Sequence, residues 1–339
     1  SVMKGRRAVP MGILLGALLL AGVVLAVCVG KYRVTPAESL EILAQQLLGL
    51  PSGYPEMTVN VVMELRIPRI LASVLVGAAL SLSGAAYQGV FSNPLISPDF
   101  LGVSSGACIG AALAILLALP SGSIQLFAFA GGVAAVAMTV ALPAAIGNRS
   151  NIMLVLSGVI VGSAMSSVLG FIKYVADPET ELAAITYWTM GSFTYVTLGD
   201  LLPALPFLLP PAACLLLLSW RINVLSLGEE EARALGVNVR AVRGLVILCA
   251  TLLTASSVCI SGTISWVGLV IPHLGRMLTG PDNTRLLPVS ALLGGVFLLA
   301  VDTLTRTIGT SEMPISILTG LVGAPFYAWL LWRQRRRGL

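Results

Sequence analysis

The chain has 339 residues, 57% hydrophobic and 10% charged, with a net charge of +5 and a mean hydropathy of +0.94. A soluble domain carries roughly a quarter charged residues, so a water-coated globule is excluded and lipid is the solvent for much of this chain. One histidine excludes a multi-histidine metal site. The five cysteines (Cys28, Cys108, Cys214, Cys249 and Cys259) lie in apolar runs without a CxxC pair and read as small buried hydrophobes.

A spanning helix takes about 20 apolar residues, which allows about ten with short connections. Charge-poor runs fall at 11–30, 70–89, 100–119, 124–146, 152–172, 201–219, 244–260, 264–279, 286–301 and 313–332. The first follows Lys4, Arg6 and Arg7, as a signal peptide would. It is nevertheless of full span length, with no small-residue cleavage site before Lys31, and reads as a span. The predicted fold is all-α: one polytopic membrane domain over 1–339. An even number of spans puts both basic ends on one side, and the positive-inside rule makes that side cytoplasmic. Fourteen of the 20 Lys and Arg then fall inside, among them Arg149, Arg221, Arg276, Arg285 and the tail Arg333, Arg335, Arg336 and Arg337. The six outside are Lys31, Arg33, Arg66, Arg69, Lys173 and Arg306, together with ten of the 15 acids.

Between spans two and three, Asn93-Pro94-Leu95 and Pro98-Asp99 imply a broken helix, tolerated at membrane depth where protein or a cavity surrounds it. Gly102, Ser105, Gly106 and Gly110 then let helices approach closely. The outer connection 173–200 holds its own apolar piece, Ile185–Phe193. The inner loop from Gly228 to Arg243 places Ala232, Leu235 and Val239 at helical spacing with charges opposite, and Gly236 is a helix stop. This predicts two short helices joined by a turn. They are either a solvated link between spans six and seven or an amphipathic element for a partner's groove. Ser81–Gly84 and Cys259–Gly262 echo one another at the ends of spans two and seven, which run in opposite directions. Spans two to five and seven to ten thus suggest an inverted repeat.

The order of these segments resembles the type II ABC import permeases, the FecCD-type family that serves iron-siderophore, haem, cobalamin and molybdate uptake. The resemblance runs from about Arg66 to Trp332. It rests on Arg66-Ile-Pro-Arg69, Ser83-Gly84 with Gln88, Asn93-Pro94-Leu95, Leu101–Gly106, Tyr187–Ser192, the Gly228–Arg243 loop, Gly268–His273 and Gly323-Ala324-Pro325. The resemblance implies a permease dimer, two cytoplasmic ATPase subunits that bind ATP and Mg, and an extracytoplasmic binding protein. It implies no cofactor on this chain, no nucleic-acid partner, and a bacterial or archaeal cytoplasmic membrane. Residues 220–243 become the coupling loop, with Gly228, Glu229, Ala232, Arg233, Leu235, Gly236, Val237, Asn238 and Arg243 meeting the ATPase. Arg66, Arg69 and Arg306 become docking arginines, whose bland alternative is the anchoring of helix ends. The fifth span becomes the pathway wall, with Asn151, Ile152, Leu156 and Ser157 at its inner gate. His273, inside a family-wide motif, takes a structural or ATPase-facing role. The implied cargo is a metal chelate, and an oxyanion is the alternative.

Two other functions fit less well. An ion-coupled transporter needs a mid-membrane carboxylate, and Asp302 lies at a span end near Arg306. An intramembrane protease needs its base within a span, and Lys173 and His273 sit at span ends. Without a GxxxxGK[ST] loop, ATP chemistry belongs to a partner and the chain is not itself an enzyme.

Overall fold

A computed structural model describes residues 8–30, 32–148, 150–308 and 312–335. Of the basic residues used above for orientation, Lys4, Arg6, Arg7, Lys31, Arg149, Arg336 and Arg337 lie outside the described residues. Ten helices stand at the ten predicted runs: α1 (Ala8–Cys28), α3 (Ile67–Val90), α4 (Val103–Leu116), α5 (Ser121–Ile146), α6 (Asn151–Val175), α8 (Leu205–Leu225), α10 (Val239–Ser261), α11 (Val267–Thr279), α12 (Asn283–Thr307) and α13 (Ile315–Arg335). Shorter helices lie between them: α2 (Pro36–Leu47), α7 (Glu181–Met190) and α9 (Glu229–Ala234). Among the described residues seven segments are long and apolar enough to cross a membrane alone, whereas α4, α11 and the apolar part of α13 are shorter.

The inverted repeat is written in the helix lengths. The set α3 to α6 has 24, 14, 26 and 25 residues, and α10 to α13 has 23, 13, 25 and 21. Packing repeats too, since α3 lies along α12 as α10 lies along α5. The Ser81–Gly84 echo is not part of this symmetry. Ser81 to Gly84 lie within α3, whereas Gly262 terminates α10. What Gly84 does is local: its missing Cβ lets the α3 backbone rest on the carbonyl of Gly268 in α11. Gly106 and Gly110 admit α5 against α4 in the same way, at Gly131 and Phe127.

One apolar core runs through both halves, with Tyr87, Leu215, Ile222, Leu253, Ile271 and Leu298 among its most enclosed side chains. His273 is buried, edge-on to Tyr327 at 5.9 Å between ring centroids, where Val270 and Tyr327 form a smaller cluster of their own. The amphipathic α2 has no counterpart among the predicted runs. Thr35 and Glu38 form a reciprocal capping box at its start, and Pro36 occupies its first turn.

Candidate functional site

Three regions carry the residues singled out above. The first is the loop joining α8 to α10. Only one short helix stands there, because the second predicted helix is the beginning of the long α10. Asn238 caps α10, its side chain accepting from the Ala241 amide, and Gly236 turns the chain at φ +77°. That turn splits the predicted apolar stripe. Ala232, Val237 and Val239 point inward and are buried, while Leu235 is 59% exposed at the tip, beside acidic and basic neighbours. Gly228 precedes α9 at φ +130°. Glu229 clamps the loop to α10, accepting from Arg243 at 2.6 Å and from Arg233 at 3.4 Å. The Arg243 hydrogen bond is the main cause that holds the Glu229 carboxyl below its ordinary range.

The second region is the start of α6, which Ser150 caps by accepting from the Met153 amide. Ile152 is 74% exposed and Leu156 is also bare. Ser157 is fully buried, its hydroxyl bonded to the Met153 carbonyl, and Asn151 is half-buried. The four predicted gate residues therefore divide, with Ile152 and Leu156 on the open face and Ser157 against the body. A cavity of about 630 Å³ joins this helix start to the loop. Asn151 and Leu154 line it on one side, and Glu229, Arg233, Arg240 and Arg243 on the other. Beyond Leu156 the exposed face of α6 continues through Ile160, Ser163, Ser167 and Phe171, without a charge before Lys173.

The third region lies at the opposite end, where α1, α3 and α12 meet. Arg66, Arg69 and Arg306 come together there, and all three are buried. Arg66 donates to the carbonyls of Val27, in the last turn of α1, and Tyr32, past its end. Arg69 Nε lies 2.9 Å from Asp302 Oδ1, and its Nη1 lies 2.8 Å from Glu312 Oε2. Arg306 reaches Asp302 Oδ2 at 3.5 Å and the Ala26 carbonyl at 3.2 Å. The predicted trio is thus assembled, but with Arg69 and Arg306 in an internal ion network and Arg66 on backbone carbonyls, not as three free surface cations.

Asp302 and Glu312 complete this network, and sequence reasoning gave neither a place in it. Burial pushes the Glu312 carboxyl up, but hydrogen bonds from Thr194 and Arg69 with the charge of Arg69 outweigh it, and the net direction is down. Thr194 belongs to the segment after α7, where Gly191 (φ +73°) and Gly262 (φ +70°) face each other with no room for a Cβ on either. Ser192 N donates to Ser261 O, and Ile315 N to Gly191 O, so this segment joins the ends of α7 and α10 to the start of α13. Beside it opens a cavity of about 500 Å³ lined by Tyr187, Trp188, Ser192 and Asp200.

Among the described residues no group of three or more His, Cys, Asp or Glu is placed to hold a metal ion. The arrangement places charged contacts at each end, with a neutral, partly bare helix between them.

The FecCD transport family matches residues 18–333. The molybdate import system permease of Haemophilus influenzae is 39% identical over 323 residues, 95% of each chain. The cobalamin import system permease of Halobacterium salinarum is 41% identical over 293 residues, 86% of this chain and 78% of that one. A solved ABC transporter of metal-chelate type, in an inward-facing conformation, superposes with a TM-score of 0.86 at 37% identity, covering 96% of this chain and 99% of that one.

Proposed function

Since this chain belongs to the FecCD transport family, the permeases of ABC importers, we propose that it carries a metal chelate inward along a pathway walled by α6. Two copies would pair around that pathway. Two cytoplasmic ATPase subunits, holding ATP and Mg, and an extracytoplasmic binding protein would complete the importer. Both termini then lie in the cytoplasm of a bacterial or archaeal cell. The observation that carries this reading is the bare face of α6, where Ser163, Ser167 and Gly170 stand exposed among apolar side chains, without a charge from Ile152 to Phe171. Lipid gains little from small and hydroxylated residues, whereas a second copy and a neutral bore suit them.

In this reading the exposed Leu235 enters a groove on the ATPase. The Glu229–Arg243 ion pair carries displacement of α9 into α10 and across the shared cavity to Asn151 and Ile152. ATP favours one conformation over the other, and the loop transmits that preference. At the opposite end, the network around Arg66, Arg69 and Arg306 receives acidic side chains of the binding protein, contacts that orient the encounter. A second cargo, a molybdate-type oxyanion, is favoured by the 39% identity over 95% of the Haemophilus influenzae permease.

The test is uptake into liposomes that hold this chain with an ATPase and a binding protein encoded beside it. Labelled iron chelate, cobalamin, haem and molybdate are compared with and without ATP. ATP-dependent entry of a metal chelate is the expected result. Entry of molybdate alone replaces the cargo, and entry driven by an ion gradient without ATP overturns the importer reading.

A further inference from the structure

Glu312 occupies the very arginine that a partner's carboxylate would seek. Asp302 is fully enclosed and serves both Arg69 and Arg306, so it is fixed. The Glu312 side chain is 32% exposed and sits in the non-helical segment before α13, so it has a route into water. Four groups are ion-paired in the network, Arg69 and Arg306 with Asp302 and Glu312, so its charges balance only with Glu312 in place. An Arg69 kept vacant for a partner would be a buried, half-satisfied cation, which is costly. Glu312 removes that cost while the permease is unpartnered.

The same carboxylate ends a chain of hydroxyls. Tyr187 donates to Ser192 Oγ at 3.4 Å, Ser192 Oγ and Thr194 Oγ1 are 2.7 Å apart, and Thr194 donates to Glu312 Oε2 at 2.5 Å. With the Thr194 proton given to Glu312, the Ser192 proton points to Thr194, so every donor in the row runs toward one acceptor. Such rows strengthen cooperatively and lose more than one bond when the acceptor leaves. Two of the three hydroxyls, those of Tyr187 and Ser192, belong to residues that line the 500 Å³ cavity.

We propose that Glu312 is a built-in stand-in for the docking partner's carboxylate, displaced from Arg69 when an acidic side chain arrives, and that its departure frees the 191–196 segment beside the cavity. The proposal rests on the docking role given above to Arg69. The exchange conserves charge at Arg69, so docking need not strip a bare cation of water. It also makes the outer cavity respond to docking before any movement reaches the ATPase.

The experiment measures the affinity of the binding protein for the permease–ATPase complex in lipid nanodiscs, for the unsubstituted chain, Glu312→Gln, Thr194→Val and Arg69→Gln. With its competitor neutralised, E312Q binds about tenfold tighter. T194V removes one of the two groups holding Glu312 and binds tighter by a smaller factor, about threefold; it also reports on the latch if E312Q fails to assemble. R69Q loses at least about tenfold. If E312Q and T194V bind no tighter while R69Q still weakens docking, the latch is wrong and the docking role stands. If R69Q docks like the unsubstituted complex, the docking role itself fails and the latch with it.

Discussion

Helices α1 and α6 are equally bare. In each, only 17% of the central apolar window is buried. What they expose differs. From α1 project Ile13, Leu14, Leu18, Leu20 and Leu25, large and apolar, with Ala17 and Ala21 between them but no hydroxyl. From α6 project Ile152, Ile160 and Phe171, but among them also Ser163, Ser166, Ser167 and Gly170. Exposure in an isolated membrane chain therefore has two meanings. Large apolar side chains face hydrocarbon, which asks only for hydrophobicity. Small and hydroxylated ones mark surfaces that meet protein or water, where close approach or hydrogen bonding is needed.

The substitution with the largest expected effect tests that difference directly. Ser167→Trp on α6 lowers ATP-driven uptake roughly tenfold or more, since a large ring narrows a proposed bore, while Ala17→Trp on α1 leaves uptake unchanged. Equal uptake in both variants would make the face of α6 ordinary lipid surface. Next, Gly158 sits on the packed side of α6 against the Phe100 carbonyl, with no room for a Cβ. Gly158→Ala therefore destabilises the permease by about 1–3 kcal/mol, read as a lower thermal midpoint in detergent. A third contrast is chemical. A membrane-impermeant maleimide modifies Ser163→Cys severalfold faster than Leu18→Cys, because the thiolate forms only where water reaches; equal rates would place both helices in lipid. The smallest effect is on α1, where Gly16 meets nothing within 4 Å. Gly16→Ala stabilises the chain by at most about 1 kcal/mol from helix propensity, read as a slight rise of the same thermal midpoint.

The spans were legible because charge is excluded from hydrocarbon whatever the fold, and each run of low charge became a helix. The repeat was legible as an idea, but its signal lay in the alternation of long and short helices and not in the Ser-Gly echo, a pairing of residues common in any membrane chain. The loop was legible down to Gly236. The pattern at Ala232, Leu235 and Val239 misled because helical periodicity assumes an unbroken helix, and the positive-φ turn at Gly236 throws Leu235 outward. The arginine trio could be found, but its burial could not. Arg69 meets Asp302 across 233 positions and Glu312 across 243, distances over which no local pattern carries information. Thr194 and Glu312 gave no signal beyond being polar residues on the outer side.

The brevity of α4 and α11, 14 and 13 residues, has an electrical consequence. At 1.5 Å per residue they measure about 21 and 20 Å, against roughly 30 Å of hydrocarbon. Each is entered through backbone that breaks the α-helix, a 3-10 turn at Pro98–Leu101 and the non-helical Gly262–Trp266, whose polar groups call for water or protein partners. Protein supplies partners at both, since Thr139 donates to the Leu101 carbonyl and Ser316 to the Thr263 carbonyl; only where water also entered would the insulating path shrink toward about two-thirds of the bilayer and the membrane voltage fall across it as a steeper field.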